Sequence, residues 1–376
     1  MNMHTPLLLT PGPLTTADST RAAMGRDWGS REPDFIALTQ ALRQLLLATA
    51  GAPPGYVAVP LQGSGTYAIE ATLATLLKAQ ECLLVMSNGA YARRIVDIAR
   101  RMGREVRVIE FDECEELDAC SLDAALAADP RISHVAVVHG ETSSGRINRI
   151  EPIAAVVAAH GRALLVDAMS TFGAIPVELA GSPIAALVAS CNKCLEGVPG
   201  IAFAIVRSAD LVRSEGHSSS LSLDLHAQWR SFEENGQWRF TPPVQVVAAC
   251  VEALRLHAAE GGVGARHARY TARTKRLLEA MAGFGIEALL PKATRGPCIV
   301  AFRVPADLSA RLERVIVHLR EEGIAIYPGK LTAAETFRIG CMGVFDEQAW
   351  QRFFDCFRAG LSLVGWTPAA TSSVPA

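Results

Sequence analysis

The sequence predicts an α/β fold: a mostly parallel sheet covered by helices on both faces, followed by a smaller C-terminal α/β domain. Three observations predict it. Short apolar runs alternate with longer amphipathic segments through the middle of the chain. Those runs are apolar on both faces, as strands between two helical layers are. Of the 376 residues, 50% are hydrophobic, yet no uninterrupted apolar run reaches the roughly 18 residues of a membrane span.

The elements follow in order. Leu7–Leu9 is a short apolar run before Thr10-Pro11-Gly12-Pro13. Residues 66–79 carry Ile69, Leu73, Leu76 and Leu77 on one stripe and predict a helix. A strand is expected at 82–86, then a helix at 90–102 that stops at Gly103, then strands at 106–111 and 135–138. Residues 152–160 begin with a proline and stop at Gly161, the usual asymmetry of a helix. Strands follow at 163–166, 186–190 and 201–206. The last begins only about ten residues after its predecessor, too few for a helical crossover, so it is expected to run antiparallel. Helical patterns return near 244–259 and at 266–284, with Gly261–Gly264 read as a linker or turn. A second α/β pattern occupies 298–303, 308–322, 324–327, 336–339 and 347–363. The Ala/Ser/Pro-rich tail, 367–376, is expected to fray.

Charge narrows the function classes. Lys and Arg number 36 against 38 Asp and Glu, a net charge of −2. That balance offers no basic field for nucleic acid or an anionic membrane. The first residues lack a basic segment followed by an apolar one, so the expectation is a cytoplasmic protein. Nine cysteines, an odd number at irregular spacings, read as reduced rather than as a disulfide framework. Cys191-Asn192-Lys193-Cys194 has the spacing of half a zinc site or of a redox motif. No second such pair and no histidine pair of finger spacing accompanies it, so two small, semi-buried side chains and no metal are expected.

Three segments carry chemistry. Gln62-Gly63-Ser64-Gly65-Thr66 directly precedes a helix. Free N–H groups at a helix start bind anions, and small residues admit a phosphate closely. The competing reading is an ordinary turn and N-cap. Asp167 ends a buried strand, where α/β sheets place ligand-binding loops. Lys193 follows the next apolar run on a turn constrained by Gly197, Pro199 and Gly200. Together the three match what pyridoxal 5′-phosphate requires: an anion cradle, a carboxylate for the ring nitrogen and an amine for the aldehyde. Tyr91, just past a strand end, is the candidate to cover the ring face, the competing reading being a packing residue at a helix start.

At these residues the chain resembles the class V aminotransferases of fold type I. Within them it is most similar to the branch that uses 2-aminoethylphosphonate as amino donor and pyruvate as acceptor. The shared segments include LLLTPGPLTT from Leu7, LQGSGTYAIEA from Leu61, SNGAY from Ser87, VHGETSSG from Val138, VDAMSTFGAIP from Val166, NKCLEGVPG from Asn192, WRFTPP from Trp238 and IYPGKLTAAETFRIG from Ile326. The resemblance implies a seven-stranded, mostly parallel sheet in a large cofactor-binding domain, 16–259. A small domain, 260–366, and an N-terminal segment, 1–15, near the active site complete the arrangement. It implies that Lys193 binds the cofactor and shuttles a proton, that Asp167 partners the ring nitrogen, and that Ser64, Gly65 and Thr66 hold the phosphate. Tyr91 falls at the stacking position, Thr142 beside the ring's phenolic oxygen, and Arg338 where an arginine grips the substrate's acid. Thr241 falls where the neighbouring subunit of a homodimer completes the phosphate site.

The chain departs from the family pattern at Gly140, Glu196, Ser219, His226, Pro242 and Cys341. Of these, Ser219 and Cys341 bear on the acid pocket or the subunit contact, and with them on the identity of the donor. An alanine- or serine–glyoxylate enzyme, or one for a modified aminophosphonate, is therefore the alternative. A cysteine desulfurase would need a nucleophilic cysteine, for which Cys341 is the candidate. A non-catalytic sensor module would need a DNA-binding appendage, and a nicotinamide dehydrogenase a third glycine where Ala68 stands.

Overall fold

A computed structural model describes residues 6–331 and 333–366. The tail expected to fray, 367–376, lies outside them. Seven strands form the main sheet in the order Tyr56–Gln62, Ile201–Arg207, Ile184–Ser190, Ala163–Asp167, Ile132–Val138, Cys82–Ser87, Glu105–Glu110. Ile201–Arg207 runs antiparallel to both neighbours, as its short connection requires, and the other six share one direction.

The strand Tyr56–Gln62 is an addition to those expected from the sequence. It lies at the edge of the sheet, where Pro60 leaves no ladder partner wanting. The helices Pro33–Ala50, Ala119–Ala128 and Leu225–Asn235 are likewise additional.

Alternation along each strand divides the core. On Cys82–Ser87, Leu84 and Met86 point to one apolar layer and Leu83 and Val85 to the other. The first layer takes Phe35, Leu42 and Leu46 from Pro33–Ala50 and Val247, Val251 and Leu254 from Val244–Glu260. The second takes Leu73 and Leu76 from Gly65–Leu76 and Ile95 from Ala90–Arg101. Each fully buried Leu, Ile or Phe contributes about 1.5–3 kcal/mol, so these layers fix where the strand ends lie.

A separate core lies around a three-stranded sheet, Ile299–Arg303, Thr336–Gly340 and Tyr327–Pro328. The helices Leu312–Glu321 and Glu347–Leu363 pack on it, and so do Leu7 and Leu9 from the start of the chain. Leu7–Leu8 pairs in parallel with Ile324–Ala325.

Two expectations are corrected. The glycine run 261–264 is not a linker: Gly261 alone, at φ 112°, separates Val244–Glu260 from a helix Gly262–Gly283. A single left-handed glycine turns the chain, and the next glycines sit in the helix because its packing outweighs their poor propensity. Nor are all the cysteines reduced: Cys191 and Cys250 form a disulfide across a Cα–Cα distance of 6.1 Å. They lie 59 residues apart, and packing of Val244–Glu260 on the sheet brings them together, which no local spacing reveals. Among the described residues no helix is long and apolar enough to cross a membrane.

Candidate active site

The carboxyl ends of the parallel strands meet the helix starts on one side of the sheet. Tyr56–Gln62 leads through Gly63, at φ 129°, into Ser64 and the helix Gly65–Leu76. Gly63 N–H donates to the Gly200 carbonyl at 2.9 Å, which pins the turn to the antiparallel neighbour. Ser64 has extended geometry and makes no side-chain cap, so its hydroxyl is not spent on the helix. A Cβ at Gly65 would sit 2.8 Å from Met169 Cε, so a larger residue there would push the Met169 side chain aside. The first N–H groups of a helix have no partner within it and carry the positive end of its dipole.

Asp167 ends the central strand Ala163–Asp167 and is buried. It accepts a hydrogen bond from Met169 N–H at 2.9 Å. Burial drives its carboxyl up to about 7, with the Glu141 carboxylate adding to the rise and Arg94 and Lys193 opposing it.

Lys193 lies on the tight connection between Ile184–Ser190 and Ile201–Arg207. Glu196 N–H donates to the Lys193 carbonyl and Gly197 N–H to the Cys191 carbonyl, both at 2.8 Å. Glu196 holds φ 58° to close this turn. Burial lowers the Lys193 ammonium to about 8. Its Nζ donates to the Pro11 carbonyl at 2.6 Å. Gly12, at φ 124°, is part of the same wall: a Cβ there would sit 2.8 Å from Lys193 Cδ.

Tyr91 opens the helix Ala90–Arg101. The start of that helix is capped from a distance. Buried Glu141 accepts from Tyr91 N–H at 3.3 Å, from Ala92 N–H at 3.4 Å and from Ser143 Oγ at 2.6 Å. Thr142 follows in the same loop and is buried. Arg338 reaches it from the small sheet: its Nη1 donates to the Thr142 carbonyl and its Nη2 to the Pro328 carbonyl, both at 3.2 Å. Its Nε is buried without a partner among the described residues.

Ser64, Gly65, Thr66, Tyr91, Thr142, Asp167 and Lys193 thus line one cleft of about 180 Å³. Arg338 adjoins it through Thr142. Thr241 does not reach it within one chain and is exposed before the helix Val244–Glu260. Three further participants escaped the sequence reading. Arg94 lines the cleft, with Nη1 3.4 Å from Thr66 Oγ1, and its place three residues after Tyr91 on one helix face was the available signal. Glu141 and Pro11 left no local signal.

Within one chain, none of the departures from the family pattern is among the residues lining the cleft. Ser219 is exposed, and Cys341 is buried with its thiol pushed up to about 11 by burial, which disables it as a nucleophile. A Cβ at Gly140 would crowd the side chains of Ser170 and Thr171. Glu196 is satisfied in place: it accepts from Tyr270 Oη at 2.7 Å, Gly343 N–H at 2.8 Å and Arg269 Nη2 at 3.1 Å. Cys194 packs against Cys298 and Met342 while Cys191 is bonded to Cys250, so the two cysteines face different partners.

The donor set fits pyridoxal 5′-phosphate. A glycine-walled helix start suits the phosphate, a buried strand-end carboxylate suits the ring nitrogen, and a desolvated lysine amine faces the same cleft.

Comparison with known proteins agrees. The family model described as aminotransferase class-V matches residues 18–361. A protein of Burkholderia pseudomallei named 2-aminoethylphosphonate–pyruvate transaminase is 50% identical over 338 residues, 90% of this chain and 92% of that one. A Burkholderia lata protein, 2-aminoethylphosphonate–pyruvate transaminase 2, is 47% identical over 342 residues, 91% of each chain. Among solved structures, the alanine–glyoxylate aminotransferase of a Nostoc species superposes with a TM-score of 0.87 at 27% identity, covering 96% of both chains.

Proposed function

The chain belongs to the class-V aminotransferase family, and on that premise we propose that it transfers the amino group of 2-aminoethylphosphonate to pyruvate, giving phosphonoacetaldehyde and L-alanine. One observation carries the choice of donor: identity of 47% to 50%, over about nine tenths of both chains, with proteins named for that reaction. The buried Arg338 guanidinium beside the cleft supports it, since a planar fork pairs with phosphonate and carboxylate alike.

Bound pyridoxal 5′-phosphate supplies the electron sink that makes the amine-bearing carbon of the substrate acidic. The protein's own groups do the rest. Ser64, Gly65 and Thr66 hold the phosphate at the start of Gly65–Leu76. Asp167 presents its carboxylate to the ring nitrogen; a positive ring beside it replaces the desolvation that raises its pKa with an ion pair. Tyr91 covers one ring face, and the Thr142 hydroxyl serves the phenolic oxygen. Lys193 anchors the aldehyde. Once free, its Nζ takes the proton from the substrate's amine-bearing carbon, a task suited to an amine that burial holds near 8. Arg338 orients the phosphonate in one half of the reaction and the carboxylate in the other.

The active unit is a homodimer in which the partner's Thr241 completes the phosphate site. Exposure of Tyr67, Leu221 and Phe240 supports it. Tyr67 and Phe240 line one groove with Leu61, Leu223 and Trp238, an apolar surface of the kind subunits cover.

The test is a half-reaction. The purified yellow protein is mixed with 2-aminoethylphosphonate in the absence of keto acid. Loss of the yellow absorbance, reversed by pyruvate, supports donor and acceptor together. No change with the phosphonate, but bleaching by alanine or serine, overturns the donor and leaves the family.

A further inference from the structure

Three cations converge on Tyr91 at the rim of the cleft. Arg94 Cζ lies 4.8 Å from the ring centroid and Lys330 Nζ 6.0 Å from it. Arg338 lies close enough for Tyr91 to bear on its charge. Among the described residues none of the three has a carboxylate within ion-pair distance, although Arg107, Arg131, Arg266 and Arg269 elsewhere each have two. Like charges held together without counter-charge repel, and partial desolvation of the exposed Lys330, with Arg338 and Arg94 beside it, lowers its basicity.

The segment that carries Lys330 is fixed to the arginine it faces. Arg338 Nη2 donates to the Pro328 carbonyl, and Gly329 N–H donates to the Thr336 carbonyl at 2.6 Å. A side chain at Gly329 would collide with Thr336, so this approach is open only to glycine. Lys330 therefore follows directly on two residues tied to Arg338 and Thr336, which keeps it near the guanidinium.

The charges decide what this pair suits. Arg338 already gives one N–H from each terminal nitrogen to main-chain carbonyls, and as a single cation it balances one negative charge. A carboxylate carries one. A phosphonate, like a phosphate monoester, approaches two near neutral pH and offers three oxygens. We propose that Lys330 is the second cation of the phosphonate site: it takes a phosphonate oxygen that Arg338 leaves unpaired, and so favours a dianionic phosphonate over a carboxylate at the same guanidinium. This rests on the aminophosphonate reading and adds to it the residue that separates the two acids.

The experiment compares the holoenzyme with its Lys330→Gln and Lys330→Arg variants. Lys330 is exposed, so neither substitution disturbs a core. The two halves of the reaction are followed separately, with 2-aminoethylphosphonate and with alanine. Ethylphosphonate and propionate are titrated as unreactive competitors of the alanine half. Loss of one charge-assisted hydrogen bond predicts that Lys330→Gln weakens 2-aminoethylphosphonate and ethylphosphonate by about tenfold or more. Alanine and propionate change by less than about twofold, and Lys330→Arg recovers most of the loss. Equal changes for phosphonate and carboxylate, or none for either, overturn the proposal. A wild-type enzyme inert to 2-aminoethylphosphonate overturns the function reading instead; the ethylphosphonate and propionate titrations then still judge Lys330.

Discussion

Lys193 Nζ and the Pro11 carbonyl share a hydrogen bond of 2.6 Å across 182 positions of sequence. The amine of the candidate site is thereby held by the Pro11–Gly12 segment, not by its own loop. Gly12 makes that contact possible. Gly12→Ala would place a methyl group against the lysine side chain and force a residue with Cβ to φ 124°. We expect a stability loss of roughly 1–3 kcal/mol and a larger proportional loss of kcat than of cofactor binding. A variant with wild-type turnover would show that the N-terminal turn does not position Lys193.

Asp167 gives the cofactor-free protein a defined pH dependence. Its folded pKa is raised from 3.8 to about 7, so between those values the unfolded chain gives up its proton and the folded one keeps it. Stability is then fully present below about pH 4, falls as pH rises toward 7 and levels off above it. Asp167→Asn removes this loss and should stabilise the cofactor-free protein by roughly 2–4 kcal/mol at pH 7, with little gain at pH 4. The same variant should lose most transaminase activity. Denaturant unfolding at the two pH values checks the first expectation; equal gains at both would place the cause elsewhere.

Arg338→Lys keeps the charge and loses the fork. The remaining ammonium cannot serve Thr142, Pro328 and a substrate acid together. We expect kcat/KM for both donor and acceptor to fall by about 10- to 100-fold, with a modest fall in melting temperature as the Thr142 and Pro328 carbonyls lose a buried donor. A loss confined to one substrate would mean that the other acid binds elsewhere.

Glu196 joins the lysine turn to the helix Gly262–Gly283, through Arg269 and Tyr270, and to Gly343. Glu196→Leu leaves the buried Tyr270 hydroxyl and the Gly343 N–H without an acceptor and takes one of two carboxylates from Arg266 and Arg269, and should cost roughly 2–5 kcal/mol. Glu196→Gln keeps the hydrogen bonds, and Glu260 still pairs with both arginines, so its cost should be markedly smaller. Melting curves of the two variants decide it; equal losses would mean that charge rather than hydrogen bonding holds the turn.

The disulfide is open to a direct count. Of nine cysteines, the Cys191–Cys250 pair removes two. Titration of the denatured, unreduced protein with a thiol reagent should therefore find seven thiols, and nine after reduction. A count of nine before reduction would refute the bond in the isolated protein.

Much of this site was legible because much of it is local. The Gly-Ser-Gly turn directly precedes an amphipathic helix, while Asp167 and the lysine turn stand at the ends of short runs apolar on both faces, and both signals are read over a few residues. The antiparallel strand was legible from chain length alone. The strand Tyr56–Gln62 was not, because its tolerance of Pro60 depends on its being at an edge.

The sequence by itself determined the layered α/β plan and the candidate site's residue types and their order, since propensity, periodicity and turn chemistry act over a few residues. Tertiary structure alone decided that Pro11 meets Lys193, that Glu141 caps the helix bearing Tyr91, that Cys191 bonds Cys250, and that Lys330 stands near Arg338 with no carboxylate in ion-pair distance among the described residues. Those relationships join segments from about 50 to about 180 residues apart, or the two ends of a turn whose direction packing sets. Only burial of the apolar layers, which fixes every strand end relative to the others, brings such groups within hydrogen-bonding reach.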